Sequence, residues 1–230
     1  MAVYLSGDTH GLIDIGKVVE YFNEASLTEE CSKEKDYLII LGDCGVLWDG
    51  GERDKQVQNI LNNLPVKVLY VDGNHENFDL LSEYPESDWH GGKVQVISDN
   101  IYHLMRGQVF EIDGKTFFTF GGGNSIDKEW RTSGISWWEE EMPSIYEYEE
   151  GFRNLEKVDY TVDYILTHTC PMEVLYEMVY CYKEGEEELQ RYFQRIADMV
   201  EFEGWYFGHF HTDENIEKYH CLYYDIVRLG

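Results

Sequence analysis

The chain has 230 residues, 43% apolar and 15% aromatic, enough for one substantial hydrophobic core or at most two small ones. Its formal charge of −27, from 45 Asp and Glu against 18 Lys and Arg, disfavours long nucleic acids and anionic membranes as partners, because both are held by basic side chains. It has no run of about eighteen apolar residues, so no membrane-spanning helix is expected. The opening residues also lack the basic flank and apolar stretch of a signal peptide, which makes the cytoplasm the expected location.

In chain order, residues 3–5 form a short apolar run that ends at Gly7-Asp8-Thr9-His10. A helix-like stretch, 12–24, follows. Residues 37–41 end at Gly42-Asp43 and lead to a helical pattern over 52–63. Residues 66–71 end at Gly73-Asn74-His75-Glu76, with a helix expected over 76–84. The middle of the chain reads as short strands at 94–97, 101–104, 109–112 and 115–120. Asp113-Gly114 is a hairpin signal between the last two. Residues 164–166 end at Thr167-His168, a helix is expected over 186–202, and residues 205–207 end at Gly208-His209-Phe210-His211. The tail, 221–229, is strand-like.

Strand–helix alternation implies parallel pairing with helices outside, and the meandering middle implies a second sheet. The expected fold is α/β: a four-layer α/β/β/α sandwich of two mixed sheets with helices on the outer faces. With no repeat, low-complexity tract or proline-rich linker, residues 1–230 are expected to form a single domain.

Five apolar runs therefore each end in a potential ligand. In open α/β sheets such groups gather beyond the carboxyl ends of the strands, which brings Asp8, His10, Asp43, Asn74, His168, His209 and His211 within reach of one another. Seven nitrogen and oxygen donors without a thiolate suit Mn, Fe, Zn, Co, Mg or Ni. Seven are too many for one tetrahedral ion and suit two ions sharing a carboxylate, for which Asp43 is the natural bridge. Two such cations acidify a water between them.

The ordered series Asp8-Thr9-His10, Gly42-Asp43, Gly73-Asn74-His75-Glu76, His168 and Gly208-His209-Phe210-His211 strongly resembles the calcineurin-like metallophosphoesterase superfamily. The resemblance implies the two-sheet sandwich and a metal-dependent phosphoric ester hydrolase. It implies one divalent transition-metal ion held by Asp8, His10, Asp43 and His211, and a second held by Asp43, Asn74, His168 and His209; manganese is among the candidates. A bridging hydroxide would attack phosphorus in line, and His75 would contact the phosphate with Asn74 and protonate the leaving oxygen. The expected substrate is a small phosphomonoester, nucleotide or phosphodiester. The alternatives are a nuclease and, outside enzymes, a binding scaffold of the same fold. Some members place a carboxylate three residues after the bridging Asp to orient the active-site histidine; here that residue is Val46. Asp72 and Glu76 are the candidates to replace it, or else they support the loop.

Residues 121–138 resemble a segment of a bacterial and phage branch of the superfamily and are expected to overhang the metals. Arg131 is the candidate phosphate-binding side chain, since a guanidinium fork matches phosphate oxygens; the alternative is a surface ion pair. Trp130, Trp137 and Trp138 are candidates to stack a nucleobase or to fill core. Cys31, Cys44, Cys170, Cys181 and Cys221 read mostly as small buried fillers, although Cys44 and Cys170 adjoin ligands and are possible sites of oxidation. The acidic clusters at 139–141, 147–150 and 184–188 read as solvated faces and helix starts. His90, His103 and His220 read as ordinary surface or core histidines.

Overall fold

The computed structural model describes residues 1–25, 31–178 and 185–229. The first half comprises β1 (Val3–Ser6), α1 (Gly16–Ala25), β2 (Tyr37–Leu41), α2 (Glu52–Asn63), β3 (Lys67–Val71), α3 (Phe78–Ser82), β4 (Glu86–Trp89), β5 (Gly92–Ser98), β6 (Ile101–Leu104), β7 (Gln108–Ile112) and β8 (Lys115–Phe120). The second comprises α4 (Ile145–Lys157), β9 (Tyr164–Thr167), α5 (Met172–Glu177), α6 (Glu187–Met199), β10 (Gly204–Phe207), β11 (Glu214–Ile216), β12 (Tyr219–Cys221) and β13 (Ile226–Leu229).

The strands make two mixed sheets, ordered β13-β1-β2-β3-β6-β5-β4 and β11-β12-β10-β9-β8-β7. β1, β2 and β3 pair in parallel, as do β8, β9 and β10. Side-chain alternation explains why their sequences are continuously apolar. Leu5, Ile39, Leu41, Leu69 and Val71 point between the sheets and meet Phe110, Phe117 and Leu166. Tyr4, Leu38, Ile40, Val68 and Tyr70 point the other way, onto Val18 and Phe22 of α1 and Val57 and Leu61 of α2. On the far side, Phe118, Phe120, Ile165 and Trp205 pack under Leu155 of α4 and Leu189, Phe193 and Ile196 of α6. Strands buried on both faces show no polar alternation, and each buried large side chain contributes roughly 1.5–3 kcal/mol. The layers are α/β/β/α, as expected.

Several boundaries differ from the expected ones. The first helix begins at Gly16 rather than residue 12, because residues 11–15 turn back on the first ligand loop: Asp14 N donates to Thr9 O at 2.9 Å. The third and last predicted helices shorten to Phe78–Ser82 and Glu187–Met199. The tail divides between the sheets, with Cys221 ending β12 and Ile226 opening β13. α4 begins at a capping box in which Ser144 Oγ accepts from Glu147 N. The β7–β8 turn is the expected hairpin, with Asp113 at φ 54° and Gly114 at φ 72°. Cys44, Cys170 and Cys221 are buried and Cys31 half-buried; Cys181 and Glu184 lie outside the described residues.

Candidate metal and phosphate site

The five ligand-bearing loops converge at the carboxyl ends of β1, β2, β3, β9 and β10, and backbone bonds tie them together. Thr9 and His10 N donate to Asp43 O, and Gly208 N donates to His168 O at 3.0 Å. His10, Asp43, His209 and His211 all have positive φ, a left-handed conformation that non-glycine residues rarely adopt and that concentrates at functional sites. Gly42, at φ 89°, has no room for a Cβ, which would overlap the His168 ring. A Cβ on Gly73 would overlap the Asp43 carboxylate.

In one part of the cluster, four acceptors face one another. His168 Nδ1 donates to Leu41 O at 2.8 Å, which leaves its Nε2 a lone pair. That atom lies 3.1 Å from His209 Nδ1, 3.2 Å from Asn74 Oδ1 and 3.5 Å from Asp43 Oδ1. The Asn74 amide is oriented by its Nδ2, which donates to Ser125 Oγ at 3.2 Å. His209 Nε2 sits 2.6 Å from Glu186 Oε1; a carboxylate this close favours the tautomer that carries its proton on Nε2 and leaves Nδ1 to accept. A divalent cation fits such a set of hard and borderline oxygen and nitrogen atoms.

The other part holds Asp8, His10 and His211, whose ligand atoms lie within 4.8 Å of one another. His10 Nδ1 is 2.9 Å from Asp14 Oδ2, and its Nε2 is 3.3 Å from Asp43 Oδ2. Asp43 thus reaches both parts, one oxygen toward His10 and the other toward His168. Burial, and then Asp43, raise the Asp8 carboxyl to about 7. Burial pulls His10 down, but Asp43, Asp8 and Asp14 outweigh it and raise the imidazole to about 9. Burial lowers His168 to about 4 against the pull of Asp43. The cluster is rich in negative charge and calls for positive charge at its centre.

His75 stands beside these groups. Its backbone N–H donates to Asp43 Oδ1 at 2.8 Å. The Arg131 guanidinium lies along the ring, Nη1 3.3 Å from Nδ1 and Nη2 3.4 Å from Nε2. A neutral imidazole accepts at only one nitrogen, so one of these contacts is not a hydrogen bond. Arg131 Nε also pairs with Asp127 at 2.7 Å. Burial pulls His75 below its ordinary value; Asp43 opposes this, and the Arg131 charge adds to it. A cleft of about 220 Å³ opens over Asp43, Asn74, His75, Arg131, His209 and His211. A second, of about 200 Å³, shares His75 as a wall. A larger groove, about 570 Å³ between α4 and α6, contains none of these side chains.

All seven predicted ligands, His75 and Arg131 are therefore close together, but neither candidate for orienting His75 touches it. Asp72 is held by Arg106 and His103 at 2.5 and 3.0 Å, and Glu76 accepts from Cys44 N at 2.8 Å; both support loops. Two members of the acidic clusters expected to be solvated are buried instead. Glu186 contacts His209. Glu141 takes both Ser125 N and Ser125 Oγ, and so reaches Asn74 through one intermediary. The tryptophans divide. Trp138 is core, Trp137 is half-buried under Lys128, and Trp130 is 83% exposed. His103 is a core histidine, and His90 and His220 bond to Glu111 O and Asn215. Sequence reasoning also passed over Asp14, Tyr223, whose ring stacks on His211 at 4.8 Å, and Lys17, which donates to Asp8 O. Only Asp14, one helical turn after His10, carried a local signal.

No protein-family model matches the chain. It is 26% identical over 188 residues, 74% of its length, to a lariat debranching enzyme of Schizosaccharomyces pombe, and it spans 37% of that relative. A solved structure from Staphylococcus aureus, assigned as a 5′-nucleotidase and complexed with α-ketoglutarate, superposes with a TM-score of 0.51 at 13% identity, covering 99% of this chain and 50% of that one. A phosphopantetheinyl hydrolase from Mycobacterium tuberculosis gives 0.47 at 16% identity, covering 96% and 88%. The two-sheet fold is shared with that nucleotidase structure, and the chain resembles the calcineurin-like metallophosphoesterase superfamily.

Proposed function

We propose that the chain is a dinuclear metal-dependent phosphoesterase acting on a small phosphate ester. Asp8, His10, Asp43 and His211 would hold one divalent cation, and Asp43, Asn74, His168 and His209 the other. One observation carries the reading: His168 Nε2 and His209 Nδ1 face each other at 3.1 Å with the Asn74 and Asp43 oxygens beside them. When bound, the cations supply charge for the phosphate oxygens and lower the pKa of the attacking water. Asn74 and Arg131 bind the phosphate, Arg131 by matching its oxygens with a planar fork. His75, within reach of the same cleft, gives its proton to the leaving oxygen. Arg131 and Asp127 hold the ring in the place that a carboxylate at the Val46 position serves in other members.

The nuclease alternative has one observation in its favour, the likeness to a debranching enzyme; the charge of −27 opposes it. Elemental analysis and a substrate panel (a phosphomonoester, a phosphodiester and single-stranded DNA) test both readings. His75→Ala is expected to lower kcat by roughly 10²–10⁴-fold with metal content unchanged, and Asn74→Ala to lower metal content as well. A protein that binds no metal and stays inert with added Mn or Ni would be a scaffold.

A further inference from the structure

The cleft that shares His75 is lined by His10, Ile13, Gly45, Trp48 and Arg53 and holds about 200 Å³. A leaving group that takes its proton from His75 must lie against that ring, and this cleft adjoins the ring without containing Asp43, Asn74, His209 or His211. We propose that it binds the leaving alcohol, and that this alcohol carries a flat aromatic ring and a second anionic group. The inference rests on the phosphoesterase reading above.

Three observations give the chemistry. The Trp48 ring is half-buried and held in place. It packs edge-on against Trp138 at 5.8 Å, and Trp138 Nε1 donates to Asp79 at 2.9 Å. Trp48 N donates to Asp54, and Trp48 O accepts from Asn77. A fixed indole wall at a polar site is a stacking platform. In the same cleft, Ile13 is 72% exposed, an apolar surface that a bound ring would cover. Arg53, exposed and also lining the cleft, pairs with no acid among the described residues, in a chain where acids outnumber bases 45 to 18. A guanidinium left free in such surroundings suits a second phosphate or carboxylate. Trp48 thus takes the stacking role considered for Trp130, Trp137 and Trp138. The reaction balances as hydrolysis: water adds to phosphorus, the bond to the alcohol oxygen breaks, and that oxygen leaves with the His75 proton.

The test compares the metal-loaded protein on methyl phosphate, a nucleoside 5′-monophosphate and a nucleoside 3′,5′-bisphosphate. kcat/KM is expected to rise in that order. In Trp48→Ala, the preference for nucleotide over methyl phosphate falls by roughly tenfold, and Trp48→Phe restores part of it. In Arg53→Gln, the preference for bisphosphate over monophosphate disappears. Inhibition by orthophosphate, which occupies only the phosphate cleft, stays unchanged in all three variants. The inference is overturned if the variants keep both preferences, or if they weaken every substrate and orthophosphate alike. Failure of the parent protein to hydrolyse any of the three would instead refute the phosphoesterase reading itself.

Discussion

Glu186 shows how much of this site rests on a side chain that carries no motif. It is fully buried, accepts from Asn124 N, Thr169 Oγ1 and Gln190 Nε2, and presses against His209 Nε2. Burial favours its neutral form, but the contact with His209 and the Asn124 N–H hold the carboxyl below its usual range. A carboxylate behind a ligating imidazole fixes the tautomer and the ring orientation, and losing such a partner weakens metal binding by roughly 10–100-fold. Glu186→Ala is therefore expected to lose one of two cations at limiting metal, read by elemental analysis after desalting. The His75→Ala variant, measured alongside, should keep both. Full occupancy in Glu186→Ala would reduce Glu186 to a packing residue.

The element that holds the third ligand loop depends on a buried ion pair. Asp72 follows the last residue of β3 and immediately precedes Gly73-Asn74, and Arg106 comes from the connection between β6 and β7. Arg106 pairs with Asp72 at 2.5 Å, with Glu147 of α4 at 3.4 Å and with the Glu140 carbonyl at 2.8 Å, which ties both sheets to the 121–142 segment. Removing one partner of such a pair leaves an uncompensated buried charge at a cost of about 3–5 kcal/mol. Arg106→Met should lower unfolding free energy in urea by that amount, and adding Asp72→Asn should recover part of it. Equal losses in the single and double variants would mean that the charges do not couple.

The sequence made β1, β2, β3, β9 and β10 readable because each is a short apolar run closed by glycine or threonine and a ligand. Five polar strand ends, taken together, are a stronger signal than any one of them. α4 was readable in principle from Ser144-Ile145-Tyr146-Glu147, whose spacing is that of a capping box. β4 was not, because Glu86-Ser87-Asp88-Trp89 is a polar edge strand whose pairing with β5 supplies its order. Glu141, Glu186 and Trp48 were hidden for a different reason. Their roles come from contacts 16 to 90 residues away in sequence, and an acid in an acidic run has no local feature that marks it as buried.

At the scale of the whole molecule, net charge and metal site pull on stability together. A charge of −27 makes the compact state repel itself, and this repulsion is screened over about 10 Å at 0.1 M salt. Sodium chloride should raise the melting temperature and then level off. Divalent cations should do more, because Asp8 and Asp43 are buried where salt screens poorly. A ligand at about 100 times its dissociation constant adds about 2.7 kcal/mol per site, and about 1 kcal/mol corresponds to roughly 2–4 °C in a chain of this size. Manganese added to chelator-treated protein at high salt should therefore raise the melting temperature by roughly 5–10 °C for each site filled. Asp43→Asn weakens the carboxylate that faces both His10 and His168, so it should abolish most of that rise while leaving the sodium chloride response intact. If the manganese shift survives in Asp43→Asn, the cations act as general counter-ions and the shared-carboxylate site is wrong.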